Sequence, residues 1–242
     1  MARVVNAASV ALVTGSASGI GLATMWRAAE LEYIPVGFDI ASRRPDEEAA
    51  STAGGRVVHV DVTDPSAVKT AVGEVEREVG PVALAIGAAG VLIERPFGSI
   101  DEELWINTLE VHLGGIYNLT VAVVPAMAER GDGSIVALSS ELAFLGAEGH
   151  VHYVAAKAAV VGFTRAAARE LARHGIRVNC VAPGPTDTPL LGLSGRDPSY
   201  VESTALRRLG RPEEVALAIL DVARWPWTTG QLYGVNGGAV IR

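Results

Sequence analysis

The sequence is short of several residue types, and each shortage excludes a class of protein. Its single cysteine, Cys180, allows no disulfide within the 242-residue chain, which excludes a disulfide-stabilised secreted scaffold. Because Cys180 lies in an apolar, strand-like run, we expect its thiol to be buried and unreactive. No uninterrupted apolar run reaches the about 18 residues that a membrane-spanning helix requires, so we expect no membrane partner.

Charge of one sign is never concentrated in blocks. The net charge is −7, and a chain without basic clusters is not expected to bind nucleic acid. His150 and His152, which immediately precede Tyr153, would line a pocket, but neither has companions at metal-ligand spacing, so no metal site is expected. The first apolar strand begins near residue 9, which leaves no room for a signal peptide before it. We therefore expect a soluble, cytoplasmic protein.

Lysine is also scarce: Lys69 and Lys157 are the only two, and the other 18 of the 20 lysine and arginine residues are arginines. Lys157 follows Tyr153 by four residues in a helix-like stretch, so both side chains leave one face. A free tyrosine has a pKa of about 10, and a neighbouring ammonium lowers it toward the range useful for general acid–base catalysis. Ser140, at the end of an apolar run, is placed to hold the oxygen that this tyrosine protonates. The alternative is an ordinary Tyr–Lys pair on a helix surface, and the scarcity of lysine argues against it.

Short apolar runs alternate with longer helical patterns. The predicted strands are residues 10–14, 34–39, 57–60, 83–87, 135–139, 177–182 and 231–236. The predicted helices are residues 19–32, 64–79, 101–130, 150–174 and 212–223. Continuously apolar strands indicate a sheet covered on both faces, and the alternation predicts an α/β fold with a doubly wound parallel sheet. Ligands bind such sheets beyond the carboxyl ends of the strands.

A glycine-rich turn follows the first predicted strand and precedes a helix. Gly15, Gly19 and Gly21 permit a tight turn and a close backbone approach to a pyrophosphate at the helix N-terminus. The spacing G-x-x-x-G-x-G differs from the dinucleotide pattern G-x-G-x-x-G and from a P-loop. The position of the turn, more than its glycines, predicts a dinucleotide site.

Two acids end the next two strands. Asp39, 24 residues after Gly15, would accept ribose hydroxyls and repel a 2′-phosphate, which predicts NAD(H) over NADP(H). Arg43 and Arg44 lie just beyond and would suit a 2′-phosphate instead. Asp61 is placed to meet an adenine amino group, while capping of the following helix remains an equally ordinary role for this segment.

Together these residues resemble the short-chain dehydrogenase/reductase family over about residues 8–239. The matching motifs are Thr14-Gly-x-x-x-Gly-Ile-Gly21, Asp61-Val62, Ser140 with Tyr153-x-x-x-Lys157, Pro183-Gly184 and Gly237-Gly238. Ser140 rather than Ser139 is chosen because the family separates its serine and tyrosine by 13 residues, as here.

The resemblance implies a single Rossmann-fold domain over residues 1–242 that transfers a hydride between NAD(H) and a secondary alcohol or ketone. Tyr153 would be the general acid/base, Lys157 would lower its pKa and hold the nicotinamide ribose, and Ser140 would orient the substrate oxygen. The implied cofactor-binding residues are Gly15, Ser18, Gly19, Ile20, Gly21, Asp39, Ile40, Asp61, Val62, Ala88, Ala89, Tyr153, Lys157, Pro183, Gly184, Thr186 and Thr188.

Two departures from the family pattern matter. Gly87-Ala-Ala-Gly90 replaces the usual Asn-Asn-Ala-Gly, which removes two amides that brace the central strands. His112 stands where the family has a fourth catalytic residue, an asparagine. It would relay protons, serve as a hydrogen-bonding spacer, or mark a chain that binds a dinucleotide without turnover. A relay predicts that His112→Ala slows turnover and removes a limb of the pH profile near neutrality.

Several features around the site have open roles. Glu94, Glu141 and Glu148 would face the substrate or, the more common case, be solvated loop acids. Residues 190–209 would form a lid over a partly hydrophobic substrate. The helix at 150–174 is apolar nearly all round, which favours burial on two sides, and the resemblance implies a homotetramer. The alternative functions are a 3-oxoacyl-carrier-protein reductase using NADPH and a catalytically silent dinucleotide-binding protein.

Overall fold

A single parallel sheet of seven strands organises the chain. The computed structural model describes residues 9–41, 56–192 and 198–241. The strands are β1 Val10–Thr14, β2 Ile34–Asp39, β3 Arg56–His59, β4 Val82–Gly87, β5 Gly133–Leu138, β6 Ile176–Pro183 and β7 Leu232–Val235. Their order across the sheet is β3-β2-β1-β4-β5-β6-β7, and every neighbouring pair is parallel. The predicted fold class is confirmed, and each predicted strand agrees within two residues.

Helices cover both faces of this sheet. Within the described ranges they are α1 Gly19–Glu30, α2 Pro65–Glu78, α3 Glu102–Leu109, α4 Gly115–Arg130, α5 Leu142–Leu145, α6 Val151–Leu171, α7 Pro198–Glu202 and α8 Pro212–Arg224. Asp64 begins α2, because its carboxylate accepts hydrogen bonds from the amides of Ser66 and Ala67. This cap satisfies amides that would otherwise lack partners at the start of the helix.

The alternation of side chains along β1 divides the core into two layers. Val10 and Leu12 pack with α2, α4 and α6 on one face, whereas Ala11 and Val13 pack with α1 and α8 on the other. All four side chains are fully buried, as expected for a strand that is covered on both faces and whose successive side chains point to opposite faces. The strands are therefore continuously apolar for the predicted reason, which is that helices cover both faces of the sheet.

The predicted helix over residues 101–130 is divided in two. A π-helical turn, Glu110–Gly114, separates α3 from α4. Gly115 lies so close to the next layer that a Cβ there would be 2.9 Å from Val62 Cγ2. The turn inserts extra residues between the two helices and directs His112 inward, where only 4% of it is exposed. Turns of this kind are common at functional sites.

The segment Glu102–Arg130 is also long and apolar enough to cross a membrane, by length and composition alone. Burial of Ile116, Leu119, Val123 and Met127 against the sheet accounts for the same apolar pattern.

Candidate active site

The glycine turn lies at the carboxyl edge of the sheet, beside the switch point where β1 is flanked by β2 and β4. Gly15 and Gly19 adopt positive φ of 69° and 53°, which glycine does without a steric penalty. A Cβ at Gly15 would lie 2.7 Å from the Ala89 backbone, and one at Gly21 would collide with the Gly15 carbonyl oxygen. Ser18 begins α1 without a side-chain capping bond. The turn therefore leaves the backbone at the N-terminus of α1 uncovered by side chains, and it fits the pyrophosphate of a dinucleotide.

Asp39 turns its carboxylate toward the glycine turn. It accepts hydrogen bonds from the Ala17 amide at 2.9 Å and the Ala41 amide at 2.8 Å. The neighbouring Ile40 is 63% exposed, which leaves an apolar surface beside the carboxylate. This arrangement fits an adenosine ribose and base at the end of β2. Arg43 and Arg44 lie outside the described residues.

Asp61 lies two residues beyond β3 and is exposed. Oδ1 of Asp61 accepts hydrogen bonds from the amide and hydroxyl of Thr63 and so stabilises the turn that follows β3. Asp64, and not Asp61, caps α2. Val62 is buried, and its carbonyl accepts a hydrogen bond from Asn118 Nδ2 at 2.8 Å. The predicted adenine contact of Asp61 remains a prediction.

A cavity of about 380 Å³ adjoins the glycine turn and brings the predicted catalytic residues together. Ser140, Tyr153, Lys157 and His112 all line it, together with Gly15, Ser18, Gly19, Ile20, Gly21, Ala88, Pro183, Gly184, Thr186 and Thr188. Ser139 has a different role, because its hydroxyl donates to the Lys157 carbonyl oxygen at 2.8 Å and ties β5 to α6.

The Tyr153–Lys157 pair has the predicted placement but a different electrostatic balance. Lys157 Nζ lies 5.7 Å from the centre of the Tyr153 ring and donates to the Leu138 carbonyl oxygen at 2.8 Å. Burial, the largest effect, raises the pKa of Tyr153; a hydrogen bond from Ser140 opposes this, and the Glu141 charge adds to it. Lys157 is not among these causes, so the predicted lowering of the Tyr153 pKa by Lys157 is not found, and loss of hydration of the phenolate raises that pKa instead. Burial also lowers the pKa of Lys157, from 10.5 to about 8.

His112 contacts the tyrosine from the π-helical turn. The two rings meet edge to face with centroids 5.2 Å apart, and His112 Nε2 lies 2.8 Å from the Val91 carbonyl oxygen. Burial, followed by the Lys157 charge, lowers the pKa of His112 well below 6.5. A histidine that stays neutral at physiological pH suits the hydrogen-bonding spacer better than a relay that titrates near neutrality.

Comparison with known proteins agrees with this geometry. The sequence model described as short chain dehydrogenase matches residues 9–198. The chain belongs to the short-chain dehydrogenase/reductase family. A relative from Thermotoga maritima, named 3-oxoacyl-[acyl-carrier-protein] reductase FabG, is 37% identical and is aligned over 96% of this chain and 98% of its own. The short-chain reductase protein NovJ of Streptomyces niveus is also 37% identical, over 97% and 95%. The crystal structure of gox2181 superposes with a TM-score of 0.86 at 30% identity, covering 96% of this chain and 95% of that one.

Membership of the family makes the chain an oxidoreductase that uses a nicotinamide dinucleotide. The glycine turn, the carboxylate at the end of β2 and the cavity beside them fit that group, as the Cβ collisions at Gly15 and Gly21 show.

Small residues and one hydroxyl occupy the region where the family pattern has two asparagine side chains. Thr14 Oγ1 accepts hydrogen bonds from the Ala88 and Ala89 amides, both at 3.2 Å, and so joins β1 to the end of β4. A Cβ at Gly87 would lie 2.6 Å from Ile116 Cδ1, and one at Gly90 would lie 2.6 Å from His112 Cε1. The departure at His112 therefore depends on Gly90, which matches the family pattern, because the histidine ring occupies space that only glycine leaves.

The described parts of residues 190–209, the predicted lid, border the same cavity. Leu190, Leu191 and Tyr200 line it, whereas Leu193 lies outside the described residues. The apolar wall is consistent with a partly hydrophobic substrate.

Glu141 was not foreseen as a buried group. It is 6% exposed and lines the cavity, whereas Glu94 and Glu148 are exposed, as solvated loop acids are expected to be. No local sequence signal separates these three acids, because the burial of Glu141 arises from its position between the ends of β5 and β6.

Proposed function

We propose that this chain interconverts a ketone and a secondary alcohol, with Tyr153 as the group that gives or takes the proton on the substrate oxygen. The observation that supports this most strongly is the meeting of Ser140, Tyr153 and Lys157 in one cavity beside the glycine turn. The bound dinucleotide supplies or accepts the hydride, and the protein supplies orientation and proton transfer. In the arrangement described, burial keeps the phenol protonated, which suits a general acid acting in ketone reduction.

The remaining residues position the reactants. Ser140 would orient the substrate oxygen toward Tyr153, and Lys157 would hold the nicotinamide ribose with its ammonium. Pro183, Gly184, Thr186 and Thr188 would hold the nicotinamide carboxamide, since they form the cavity wall that follows β6. His112 would fix the Tyr153 ring through their edge-to-face contact.

For the dinucleotide, we propose NAD(H) over NADP(H). Support comes from the Asp39 carboxylate at the end of β2, which would strongly repel the 2′-phosphate of NADP(H). The test is kcat/KM for NADH and NADPH with one ketone. A clear preference for NADH is expected, and equal values for the two would contradict the proposal.

A second candidate, a 3-oxoacyl-carrier-protein reductase, is favoured by the names of several relatives. For the substrate itself, those names support this candidate more than they support a simple secondary alcohol. The net charge of −7 is unfavourable for docking an acidic carrier protein, and Asp39 is unfavourable for NADPH.

One panel separates the candidates. Turnover of simple ketones and 3-oxoacyl thioesters is measured with each dinucleotide, beside a fluorescence titration of NADH. Efficient reduction of 3-oxoacyl thioesters alone would select the second candidate. Binding of NADH with no turnover of any substrate would instead indicate a silent dinucleotide-binding protein and refute both.

We also propose that the chain assembles as a cytoplasmic homotetramer. The small residues Ala155, Ala159, Gly162 and Ala166 form a stripe on α6 that is only partly covered in the single chain, and a Cβ at Gly162 would meet no described atom within 4 Å. Such a surface allows close approach of a second helix. Light scattering is expected to give a tetramer, and a monomer would contradict the proposal.

A further inference from the structure

Glu141 is an acid in the cavity wall that the proposed function does not use. Its amide donates to the Pro183 carbonyl oxygen at 3.0 Å, which fixes its backbone between the ends of β5 and β6. No lysine or arginine among the described ranges forms an ion pair with its carboxylate. A buried acid without a cation is costly to keep ionised, so its remaining contacts decide its state.

Besides a hydrogen bond with its own backbone, the carboxylate contacts the hydroxyl of Ser140. Ser140 Oγ donates to Glu141 Oε2 at 3.2 Å, and the Leu142 amide donates to Ser140 Oγ at 3.2 Å. A serine hydroxyl has one proton and two lone pairs. While its one proton is directed to Glu141 instead of to Tyr153, and one lone pair faces Leu142, Ser140 keeps one lone pair for the substrate. It then accepts a hydrogen bond from an alcohol but has no proton for a ketone.

Protonation of Glu141 reverses the direction of the hydrogen bond between Glu141 and Ser140. The carboxylic acid has an O–H that donates to Ser140 Oγ, so that both serine lone pairs are occupied and the serine proton is released toward the cavity. Ser140 then donates to a ketone oxygen. We propose that Glu141 is a positioning residue that selects, through the Ser140 hydroxyl, between binding of the alcohol and binding of the ketone. This inference rests on the proposed function, because it requires that Ser140 contacts the reacting oxygen.

Burial raises the pKa of Glu141 to about 7, so both of its forms are populated near neutrality. Tyr153 on α6 and Tyr200 on α7 face it. Burial is the main cause that raises the pKa of each tyrosine, and the Glu141 charge adds to it. The exposed Glu94 also acts on Tyr200.

Three further titratable groups, His112, His150 and Lys157, line the same cavity. The lowered pKa of His112 keeps it neutral, and Lys157, with a pKa of about 8, titrates at higher pH. A limb due to Glu141 is therefore distinguished from one due to Lys157 by a variant in which residue 141 does not titrate.

The test is the pH dependence of the inhibition constants of two non-reacting complexes, the ketone with bound NAD⁺ and its alcohol with bound NADH. Reduction of a ketone by NADH consumes a proton, so the rates of the two directions diverge with pH in any variant, and binding without turnover avoids this effect. For a group with a pKa of about 7, we expect ketone binding by the wild type to weaken about tenfold from pH 6 to pH 8 while alcohol binding tightens. Glu141→Gln keeps the size of the side chain but does not titrate, so it should reduce both of these opposed limbs to less than about threefold and leave a limb due to Lys157 in place.

Controls separate this role from a structural one. Glu94→Gln removes a nearby acid that does not contact Ser140, and it should keep the wild-type profile. Glu141→Met, which neither titrates nor accepts a hydrogen bond from Ser140, should also lack the opposed limbs. Thermal unfolding and NADH titration verify that each variant is folded.

Persistence of the opposed limbs in both Glu141 variants would overturn the inference, as would their absence from the wild type or their loss in Glu94→Gln. A wild type that reduces no ketone at pH 6 would instead refute the proposed function.

Discussion

Replacement of Lys157 by methionine is expected to stabilise the protein at neutral pH while abolishing its activity. Lys157 is 6% exposed, and among the described residues its ammonium has one hydrogen bond, to the Leu138 carbonyl oxygen. Burial lowers its pKa from 10.5 to about 8. The unfolded chain therefore binds this proton more strongly than the folded one, and folding carries a penalty wherever the amine is charged.

The penalty has a definite size and pH window. A fall from 10.5 to about 8 corresponds to ~3 kcal/mol, at about 1.4 kcal/mol for each tenfold change in proton affinity. It is fully present below pH 8 and fades as the pH rises from 8 to 10.5, because the unfolded amine then also loses its proton. The stability of Lys157→Met relative to wild type should thus be greater at pH 7 than at pH 10 by about 2–3 kcal/mol.

Urea unfolding at both pH values measures this difference, and thermal unfolding should show it as a change of about 5–10 °C in relative Tm. Lys69→Met is the matched control, because Lys69 is the other lysine and is exposed; its stability relative to wild type should not depend on pH. A pH-independent difference for Lys157→Met would refute the reasoning that burial holds this amine near its titration point.

Substitutions at three further positions test the other contacts of the site. His112→Asn should retain more activity than His112→Ala. The kcat of His112→Ala should fall by less than the about 10²-fold that is typical of a lost general acid–base group. If His112→Ala instead loses a limb of the pH profile near neutrality, His112 acts as a proton relay and the spacer role is contradicted. Gly90→Ala, which places a Cβ 2.6 Å from the His112 ring, should lower the unfolding free energy by about 1–3 kcal/mol, and unchanged stability would contradict the close packing of that ring. Asp39→Asn removes the charge that repels a 2′-phosphate and should lower the NADH to NADPH ratio of kcat/KM at least about tenfold, whereas an unchanged ratio would remove Asp39 from cofactor choice.

The fold was largely predictable because its signals are local. Each strand is a short apolar run, and the glycine turn lies directly between the first strand and the first helix. The spacing of Tyr153 and Lys157 likewise placed both in the cavity, because a helix repeats its face every three to four residues.

Properties that depend on distant contacts were not predictable in the same way. The pKa of Tyr153 is set by burial rather than by its helical neighbour. The π-helical turn arises where Gly115 approaches Val62, although the local sequence resembles one continuous helix. Glu141 is buried because β5 and β6 end on either side of it, and neither strand is adjacent in sequence to the other.

The central claim is that the Tyr153 hydroxyl transfers the proton, and Tyr153→Phe tests it most directly. Phenylalanine keeps the ring that contacts His112 and removes only the hydroxyl. Steady-state turnover of a ketone is measured beside a fluorescence titration of NADH with the same preparation. We predict that NADH binding is retained while kcat falls by about 10²–10⁴-fold, the loss typical of a removed general acid. Undiminished kcat in Tyr153→Phe would contradict the account.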